Sequence, residues 1–444
     1  MTLRRMILGI CMLILGAIPA FTQENDPHAI ALERIEEARV SGADRLDLRI
    51  ELQAVPPELF ELTQLRILYL VNNEITELPP EIGNLTNLRE LYLYDSHLTE
   101  LPAEIGELTS LHELYLSDNN LTELPSEIGN LSELHLLTLN GNQLTDLPDE
   151  ISLLSNMEFL AISDNPFLSI PEEVFSLSNL RILDLGRIGL NELPSEISVL
   201  TNLESLALSG NNLTQLPSDI GNLTNLLSLY LDANQLTGLP TEIQNLVNLR
   251  TLILDYNQLS EIPLSVFILT NLTQLDFNEN SVTTLPPEIG QLNNLSFLGM
   301  NNNQLLRLPE EIGSLSNLAY LYASHNQLRN LPGGIGNLTS LYALMLDNNQ
   351  LEDLPPEIGD LTRLSFLNLS ENQLQALPTE FGNLSTLIYL DVSNNQLTQL
   401  PRSIGYFRQL SFLAIAGNPL TFPPTEITRQ SFPVIQEYLR NSSP

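Results

Sequence analysis

The segment LRILYLVNNEITELPPEIGNLTN, residues 65–87, and its successor LRELYLYDSHLTELPAEIGELTS, residues 88–110, decide the fold. The two segments align without a gap, and the same 23-residue unit occurs sixteen times in succession between residues 65 and 432. The fourth position is Leu and the fifteenth is Pro in all sixteen units, and the ninth is Asn in fourteen. Such regular self-similarity predicts a solenoid in which each unit buries its inner face against its neighbours.

Each position of the unit has a physical interpretation. Leu68 and Leu70 alternate with other residues, which predicts a short strand with both leucines on the buried face. The Asn at position nine, such as Asn73, needs partners for its amide, so its repetition predicts a ladder of hydrogen bonds to neighbouring backbones. The pair Leu78-Pro79 fixes an extended turn. The Glu-Ile-Gly-x-Leu sequence that follows predicts a short helical or 3-10 return.

This unit resembles the leucine-rich repeat, L-x-x-L-x-L-x-x-N-x-L, in its 23-residue L-P-x-x-I-G-x-L form. That form is similar to the repeats of plant and bacterial proteins of the Ras-associated type, and to the repeat segment that precedes the GTPase module of Roc–COR proteins. The resemblance covers about residues 27–440. It implies an α/β fold, a curved horseshoe solenoid with a parallel β-sheet on the concave face and short helical or 3-10 turns on the convex face.

Both ends of the repeat array, residues 65–432, carry predicted caps, because the terminal coils of a solenoid expose core residues. Residues 21–64 form the predicted N-terminal cap, a helix over 27–41 followed by an irregular first coil. Asp26 is the expected N-cap of that helix, and Gly42 is its expected stop. Residues 419–444 form the predicted C-terminal cap, which overlaps the last repeat.

Residues 1–20 have the layout of a secretory signal peptide: Arg4 and Arg5, an apolar run, and the small residue Ala20 before the cleavage point. The apolar run is shorter than the roughly 20 residues that cross a bilayer, and a retained signal anchor is the alternative. We therefore expect an exported bacterial protein, located in the periplasm, at the cell surface or in the medium. Cleavage would remove Cys11, the one cysteine.

The composition excludes several function classes. The chain carries 54 acidic against 18 basic residues, a formal charge of -36, and every base is Arg. Without lysine there is no P-loop, no protein kinase and no Schiff-base chemistry. A single cysteine excludes zinc sites built from several cysteines. The acidic charge argues against binding to nucleic acid or to an anionic membrane surface. With no nucleophile elbow in the sequence either, we expect neither an enzyme nor a bound cofactor.

Two metal sites are weaker hypotheses. Asp232 and Asp255 lie on adjacent predicted strands and suggest calcium, but no Asp-rich loop of the EF-hand type accompanies them. His112, His135 and Glu158 share position 2 of consecutive units and suggest zinc, but that column is normally solvated. The sequence therefore predicts no metal site.

The strand positions between the leucines predict a binding surface. Positions 3, 5, 7 and 8 are expected to face outward on the concave side, and aromatic and acidic side chains are frequent there. The candidate partner-binding residues are Tyr69, Tyr92, Tyr94, Tyr115, Asp95, Asp118, Phe297, Tyr320, Tyr322, Phe366 and Tyr389. Aromatic residues also suit strand surfaces for purely structural reasons, and that interpretation stays open.

Together these patterns predict a non-enzymatic, exported scaffold that binds a protein or peptide, of basic character, on its concave face. A structural or adhesion protein of the cell envelope is one alternative, which self-association or a retained anchor would favour. A signalling adaptor of the intracellular type is the other, which the signal-like N-terminus disfavours. The oligomeric state and the identity of the partner stay open.

Overall fold

The computed structural model describes residues 26–442. The predicted signal peptide, residues 1–20, lies outside the described residues. The chain forms two compact units, the first ending at Leu213 and the second beginning at Thr214. Among residues 26–442, none of the helices combines the length and the apolar character that crossing a bilayer requires.

Short parallel strands form the sheet of each unit. Residues 26–213 contain eight: β1 Arg45–Asp47, β2 Ile67–Tyr69, β3 Glu90–Tyr92, β4 Glu113–Tyr115, β5 Leu136–Thr138, β6 Phe159–Ala161, β7 Ile182–Asp184 and β8 Ser205–Ala207. Residues 214–442 contain nine: β9 Ser228–Tyr230, β10 Thr251–Ile253, β11 Gln274–Asp276, β12 Phe297–Gly299, β13 Tyr320–Tyr322, β14 Ala343–Met345, β15 Phe366–Asn368, β16 Tyr389–Asp391 and β17 Phe412–Ala414. The repeat keeps the register, so Leu68 pairs with Leu91 and Leu275 with Leu298.

A 3-10 turn follows the proline at position fifteen in the first fifteen repeats, as the sequence predicts, and an α-helix follows it in the last. In the first unit the turns are Pro57–Glu61, Pro80–Asn84, Ala103–Glu107, Ser126–Asn130, Asp149–Leu153, Glu172–Ser176 and Ser195–Val199. In the second they are Ser218–Asn222, Thr241–Asn245, Leu264–Ile268, Pro287–Gln291, Glu310–Ser314, Gly333–Asn337, Pro356–Asp360, Thr379–Asn383 and Arg402–Tyr406. Neighbouring turns pack so closely that a Cβ on Gly129 would lie 2.7 Å from the carbonyl oxygen of Glu150, which explains glycine there.

The caps are helical. Helix α1 spans Pro27–Ser41; the Asp26 side chain accepts a hydrogen bond from the N–H of His28 at its start, and Gly42 adopts a left-handed conformation at its end. The first coil is more regular than its sequence indicates, because it contributes strand β1, which pairs with β2. At the other end, helix α2 spans Thr425–Thr428 and helix α3 spans Phe432–Asn441. Helix α3 buries Ile435 and Leu439.

The core of each unit consists of stacked leucines and an asparagine ladder. Leu68, Leu91 and their equivalents are fully buried, and each such side chain contributes roughly 1.5–3 kcal/mol by leaving water. The predicted ladder is confirmed. Asn119 Nδ2 donates to the carbonyl of Leu93 at 2.9 Å, and Oδ1 accepts from the N–H of Leu98 at 3.0 Å. Buried amides thus pair with backbone groups of the neighbouring coil, which stabilises the stack.

Position eight of the repeat has a backbone role that its sequence pattern did not reveal. Asp95 and Asp118 adopt positive φ angles of 58° and 56°. All sixteen residues at this position share that left-handed conformation. Asn, Asp and Gly tolerate it best. The acidic residues there therefore have a structural explanation beside the predicted binding role.

Candidate functional site

The strands present positions 3 and 5 on one side of each sheet, called here the sheet face. In the first unit, three tyrosines at position 5 form the N-terminal tyrosine column, defined as Tyr69, Tyr92 and Tyr115. Consecutive ring centroids are 4.4 Å apart, with interplanar angles of 11° and 7°. The strand register places equivalent residues side by side, which produces this stack.

The N-terminal tyrosine column is held by contacts within the protein. Tyr69 is only 5% exposed, and the guanidinium carbon of Arg45 lies 4.6 Å from its ring centroid. The Tyr92 hydroxyl donates to Glu90 Oε2 at 2.8 Å, and the Tyr115 hydroxyl donates to Glu113 Oε2 at 2.7 Å. Burial, followed by the hydrogen bond to Glu90, raises the pKa of Tyr92. The rings stabilise the sheet face, with Tyr69 buried and Tyr92 and Tyr115 half-buried.

The other predicted residues of the first unit lie beside this column. Tyr94 follows the strand of Tyr92 and is half-buried. Asp95 and Asp118 are exposed at the left-handed position that follows. The structure thus brings these residues to one edge of the sheet face.

In the second unit, seven rings form the C-terminal aromatic band. It consists of Phe297, Tyr320, Tyr322, Tyr342, Phe366, Tyr389 and Phe412. Their contacts are continuous, with successive centroid distances between 4.5 and 6.4 Å and a mixture of stacked, tilted and edge-on geometries. Tyr320, Tyr342 and Phe412 are 37%, 39% and 45% exposed. This band presents apolar surface to solvent on a rigid support.

Tyr342 belongs to the C-terminal aromatic band but lies at position 2, outside the positions from which binding residues were predicted. Its ring contacts Tyr320 at 5.9 Å and Phe366 at 5.3 Å. The neighbouring position-3 residue is Ala343, whose small side chain leaves a gap that the Tyr342 ring bridges. An alanine interrupting a column of aromatic residues was the available sequence signal.

Acidic side chains adjoin the C-terminal aromatic band. Asp276 is the last residue of strand β11, and Asp255 lies two residues after the end of the adjacent strand β10. Burial, followed by the charge of Asp276, raises the pKa of Asp255 to about 7. Burial raises the pKa of Asp276 to about 6, although a hydrogen bond from Gln274 opposes it. Asp255 accepts hydrogen bonds from the backbone N–H and the Nδ2 of Asn278, which offset only part of the rise in its pKa, and a cation would stabilise the ionised forms of both carboxylates.

The histidine pair of the first unit does not build a metal centre with its neighbours. The rings of His112 and His135 stack at 5.5 Å, and each Nδ1 contacts a backbone carbonyl nearby. Among residues 26–442, no group of three or more His, Cys, Asp or Glu side chains is arranged to hold a metal ion.

Known protein families and solved structures match this chain along its repeats. A family model described as leucine-rich repeat region matches residues 52–120, 168–237 and 275–354. A second, described as leucine rich repeat, matches residues 109–167 and 362–420. A leucine-rich-repeat protein of Leptospira interrogans is similar in structure, with 33% identity, a TM-score of 0.64, and coverage of 94% of this chain and 99% of that one. The chain belongs to the leucine-rich-repeat family.

Two further similar structures are plant receptors of this family. One is the ectodomain of the receptor kinase GASSHO1/SCHENGEN3 from Arabidopsis thaliana in complex with Casparian strip integrity factor 2. It has 34% identity and a TM-score of 0.58 over 83% of this chain and 52% of that one. The other is the plant peptide hormone receptor RGFR1 in complex with RGF2, with 30% identity and a TM-score of 0.60 over 83% and 73%. No curated protein matches. The predicted fold class, a leucine-rich-repeat solenoid with parallel strands and short 3-10 turns, is confirmed.

Proposed function

We propose that this leucine-rich-repeat protein is an exported, non-enzymatic scaffold that binds a protein or peptide on the sheet face of its second unit. The observation that carries the proposal is the C-terminal aromatic band, because Tyr320, Tyr342 and Phe412 are exposed, whereas the rings of the N-terminal tyrosine column are buried or half-buried. Exposed aromatic side chains on a rigid surface are the residues that most often dominate binding energy at interfaces.

The similar structures support a binding role of this kind. The receptor RGFR1 is a peptide hormone receptor and was determined in complex with RGF2. The GASSHO1/SCHENGEN3 ectodomain was determined in complex with an integrity factor. The signal-peptide layout of residues 1–20 supports export. The -36 charge of the chain favours a basic partner, because long-range attraction speeds its association.

A peptide library tests this proposal. The protein is immobilised and used to select binders from random 16-residue peptides displayed on phage, and the affinity of the best binders is measured by calorimetry. The variant Tyr320→Ala/Tyr342→Ala/Phe412→Ala removes the three most exposed rings of the band. We expect it to bind the selected peptides at least 100-fold more weakly.

A control variant removes comparable apolar surface from the 3-10 turns of the same unit. Leu264, Ile268 and Tyr406 are 58%, 51% and 61% exposed there. The triple alanine variant at these positions is expected to bind the peptides as the wild type does. Selection of no peptides, or equal loss of affinity in both variants, would refute the proposed function.

A further inference from the structure

Gly299 interrupts the row of side chains at position 5 in the second unit. Strands β11, β12 and β13 pair in register, so Asp276, Gly299 and Tyr322 are consecutive in that row. A Cβ placed on Gly299 would lie 2.1 Å from Oδ1 of Asp276, closer than any real contact. The Asp276 carboxylate therefore occupies space that a side chain at 299 would fill, and glycine is required for it to do so.

Asp276 is a buried carboxylate with one unsatisfied oxygen. The residue is 6% exposed, and its Oδ2 accepts a hydrogen bond from Gln274 Nε2 at 2.7 Å. Its other oxygen, Oδ1, is inaccessible and accepts no hydrogen bond from any donor in residues 26–442. An unsatisfied buried polar atom is costly, and more so when it carries charge. By contrast, both carboxylate oxygens of Asp184, which also lies at position 5, accept hydrogen bonds, one from the N–H of Gly186 and one from the hydroxyl of Ser163.

A second carboxylate and two rings lie on the strands beside Asp276 or just after them. Asp255 follows the preceding strand, and the charge of Asp276 contributes to raising the pKa of Asp255. The ring of Tyr322 lies edge-on to that of Phe297 at 5.1 Å. Burial, then Tyr320, then the charge of Asp276 raise the pKa of Tyr322, which places its ring in the field of that carboxylate. Negative charge beside aromatic rings is the environment that a guanidinium group prefers.

The first unit contains the same combination with its cation supplied by the chain itself. Asp47 occupies position 5 of β1 and forms an ion pair with Arg49. The Arg49 guanidinium carbon lies 5.5 Å from the ring centroid of Tyr69. Burial raises the pKa of Asp47, but hydrogen bonds from Arg49 outweigh that effect and lower it overall. At Asp276 the carboxylate and the ring are both present, and no arginine of residues 26–442 pairs with them.

We propose that an arginine side chain of the bound partner reaches the Asp276 carboxylate beside Gly299, donates to Oδ1 and packs against the Tyr322 ring. The inference rests on the proposed function and specifies the partner chemistry at one point of the same surface. Because Oδ1 is inaccessible in the unbound protein, the side chains around it must move to admit the guanidinium, and that of Asn278 is among those next to the same space. Arginine fits better than lysine because its planar group can both stack on a ring and donate to two carboxylates.

Random 12-residue peptides displayed on phage provide the probe. Peptides selected on the wild type are expected to carry arginine at one fixed position relative to their apolar residues. For the best peptide, Asp276→Asn should weaken binding at least tenfold, and so should replacement of the peptide arginine by norleucine. The two changes combined should reduce the affinity no more than either change alone, because both remove the same contact.

Glu288→Gln is the matched control, since it removes one negative charge in the same repeat from the first turn of the 3-10 helix Pro287–Gln291. It is expected to change affinity less than twofold, which separates direct contact from long-range attraction. Circular dichroism verifies that each variant is folded. Additive losses from Asp276→Asn and norleucine, or selected peptides without arginine, would overturn the inference.

The outcome also distinguishes this inference from the proposed function. Selected peptides that depend on Tyr320, Tyr342 and Phe412 but not on Asp276 would leave the scaffold role intact and remove the arginine site. Both proposals would be refuted if the library yields no binder, or if the affinity of its binders changes neither with the alanine variant at Tyr320, Tyr342 and Phe412 nor with Asp276→Asn.

Discussion

The N-terminal tyrosine column and the C-terminal aromatic band lie on the strands of different units and mostly at different positions of the repeat, and their rings have different surroundings. The column repeats one residue type at one position, so its rings stack face to face at 4.4 Å and cover one another. The band draws rings from positions 2, 3 and 5, and its contacts include edge-on pairs such as Tyr320 with Tyr342. Face-to-face stacking does not by itself bury a ring, since Phe412 stacks on Tyr389 at 4.5 Å and is still 45% exposed, so it is the exposed rings of the band that leave surface available to a partner.

The acidic side chains of the two units also differ, in how fully other groups of the protein pair with them. In the first unit Asp47 is paired with Arg49, and the tyrosine hydroxyls donate to glutamates. In the second unit Asp276 retains an unsatisfied oxygen. A surface whose polar groups are satisfied internally gains little from a partner, but an unsatisfied carboxylate beside the half-buried rings of Phe297 and Tyr322 gains much.

The largest expected difference between the two groups is in stability. Tyr69→Ala should lower the free energy of unfolding by about 3 kcal/mol, because it removes a buried ring that packs between Arg45 and Tyr92. Phe412→Ala, at a ring that is 45% exposed, should cost under about 1 kcal/mol. Urea denaturation followed by circular dichroism measures both. Equal losses would show that the two groups have the same structural role.

Binding should show the reverse order. The triple alanine variant at Tyr320, Tyr342 and Phe412 is expected to lose at least 100-fold in affinity for selected peptides, about 3 kcal/mol. Tyr115→Ala in the N-terminal tyrosine column should leave that affinity within threefold, provided that the variant is folded. Calorimetry on both variants decides the matter; a greater loss from Tyr115→Ala would move the binding surface to the first unit.

The acidic residues of the two units should also contribute differently to the dependence of stability on pH. The pKa values of Asp255 and Asp276 are raised to about 7 and about 6, so these groups stabilise the fold fully below pH 4. That contribution is lost as the pH rises through 6 to 7, with a magnitude on the order of 1–3 kcal/mol. The pKa of Asp47 is lowered, so its contribution is present above pH 4 and lost only in more acidic solution.

Melting temperatures between pH 5 and pH 8 test this difference. The melting temperature of the wild type should fall over that range more steeply than that of Asp255→Asn. The melting temperature of Glu288→Gln should follow that of the wild type, because this variant changes the net charge as much as Asp255→Asn does and leaves the Asp255–Asp276 pair intact. Parallel curves for the wild type and Asp255→Asn would contradict the assignment of raised pKa values to this pair.

The smallest expected effect concerns the hydroxyl of Tyr92. Tyr92→Phe removes the hydrogen bond to Glu90 and should cost about 0.5–1 kcal/mol of unfolding free energy. Tyr320→Phe, in the C-terminal aromatic band, should cost less than half of that, since no hydrogen bond of its hydroxyl is found among residues 26–442. Urea denaturation of the two variants under identical conditions makes the comparison. A larger loss from Tyr320→Phe would indicate that the band, too, is held internally.

The repeat allowed most of the fold to be predicted from the sequence. Alternating leucines indicated the strands, Pro79 and its equivalents the turns, and Asn119 and its equivalents the ladder, because each depends on local geometry that every unit shares. The candidate site could be predicted only in outline. The role of Tyr342 depends on the small size of Ala343, and Arg45 covers Tyr69 because of the path of the first coil.

The unsatisfied oxygen of Asp276 lies beyond sequence reasoning for a different reason. Position 5 carries an aspartate in several repeats, and the sequence does not reveal which of them find donors. Gly299 was the accessible clue, since a glycine within a strand indicates a close approach of neighbouring atoms.

Hydroxyl-radical footprinting with mass spectrometry tests the central claim most directly, because tyrosine and phenylalanine side chains are oxidised in proportion to their exposure. The protein is labelled alone and with a peptide selected from the random library. Oxidation of Tyr320, Tyr342 and Phe412 should fall severalfold on binding, while that of Tyr92 and Tyr115 should not change. Protection confined to the N-terminal tyrosine column would contradict the assignment of the binding surface to the second unit.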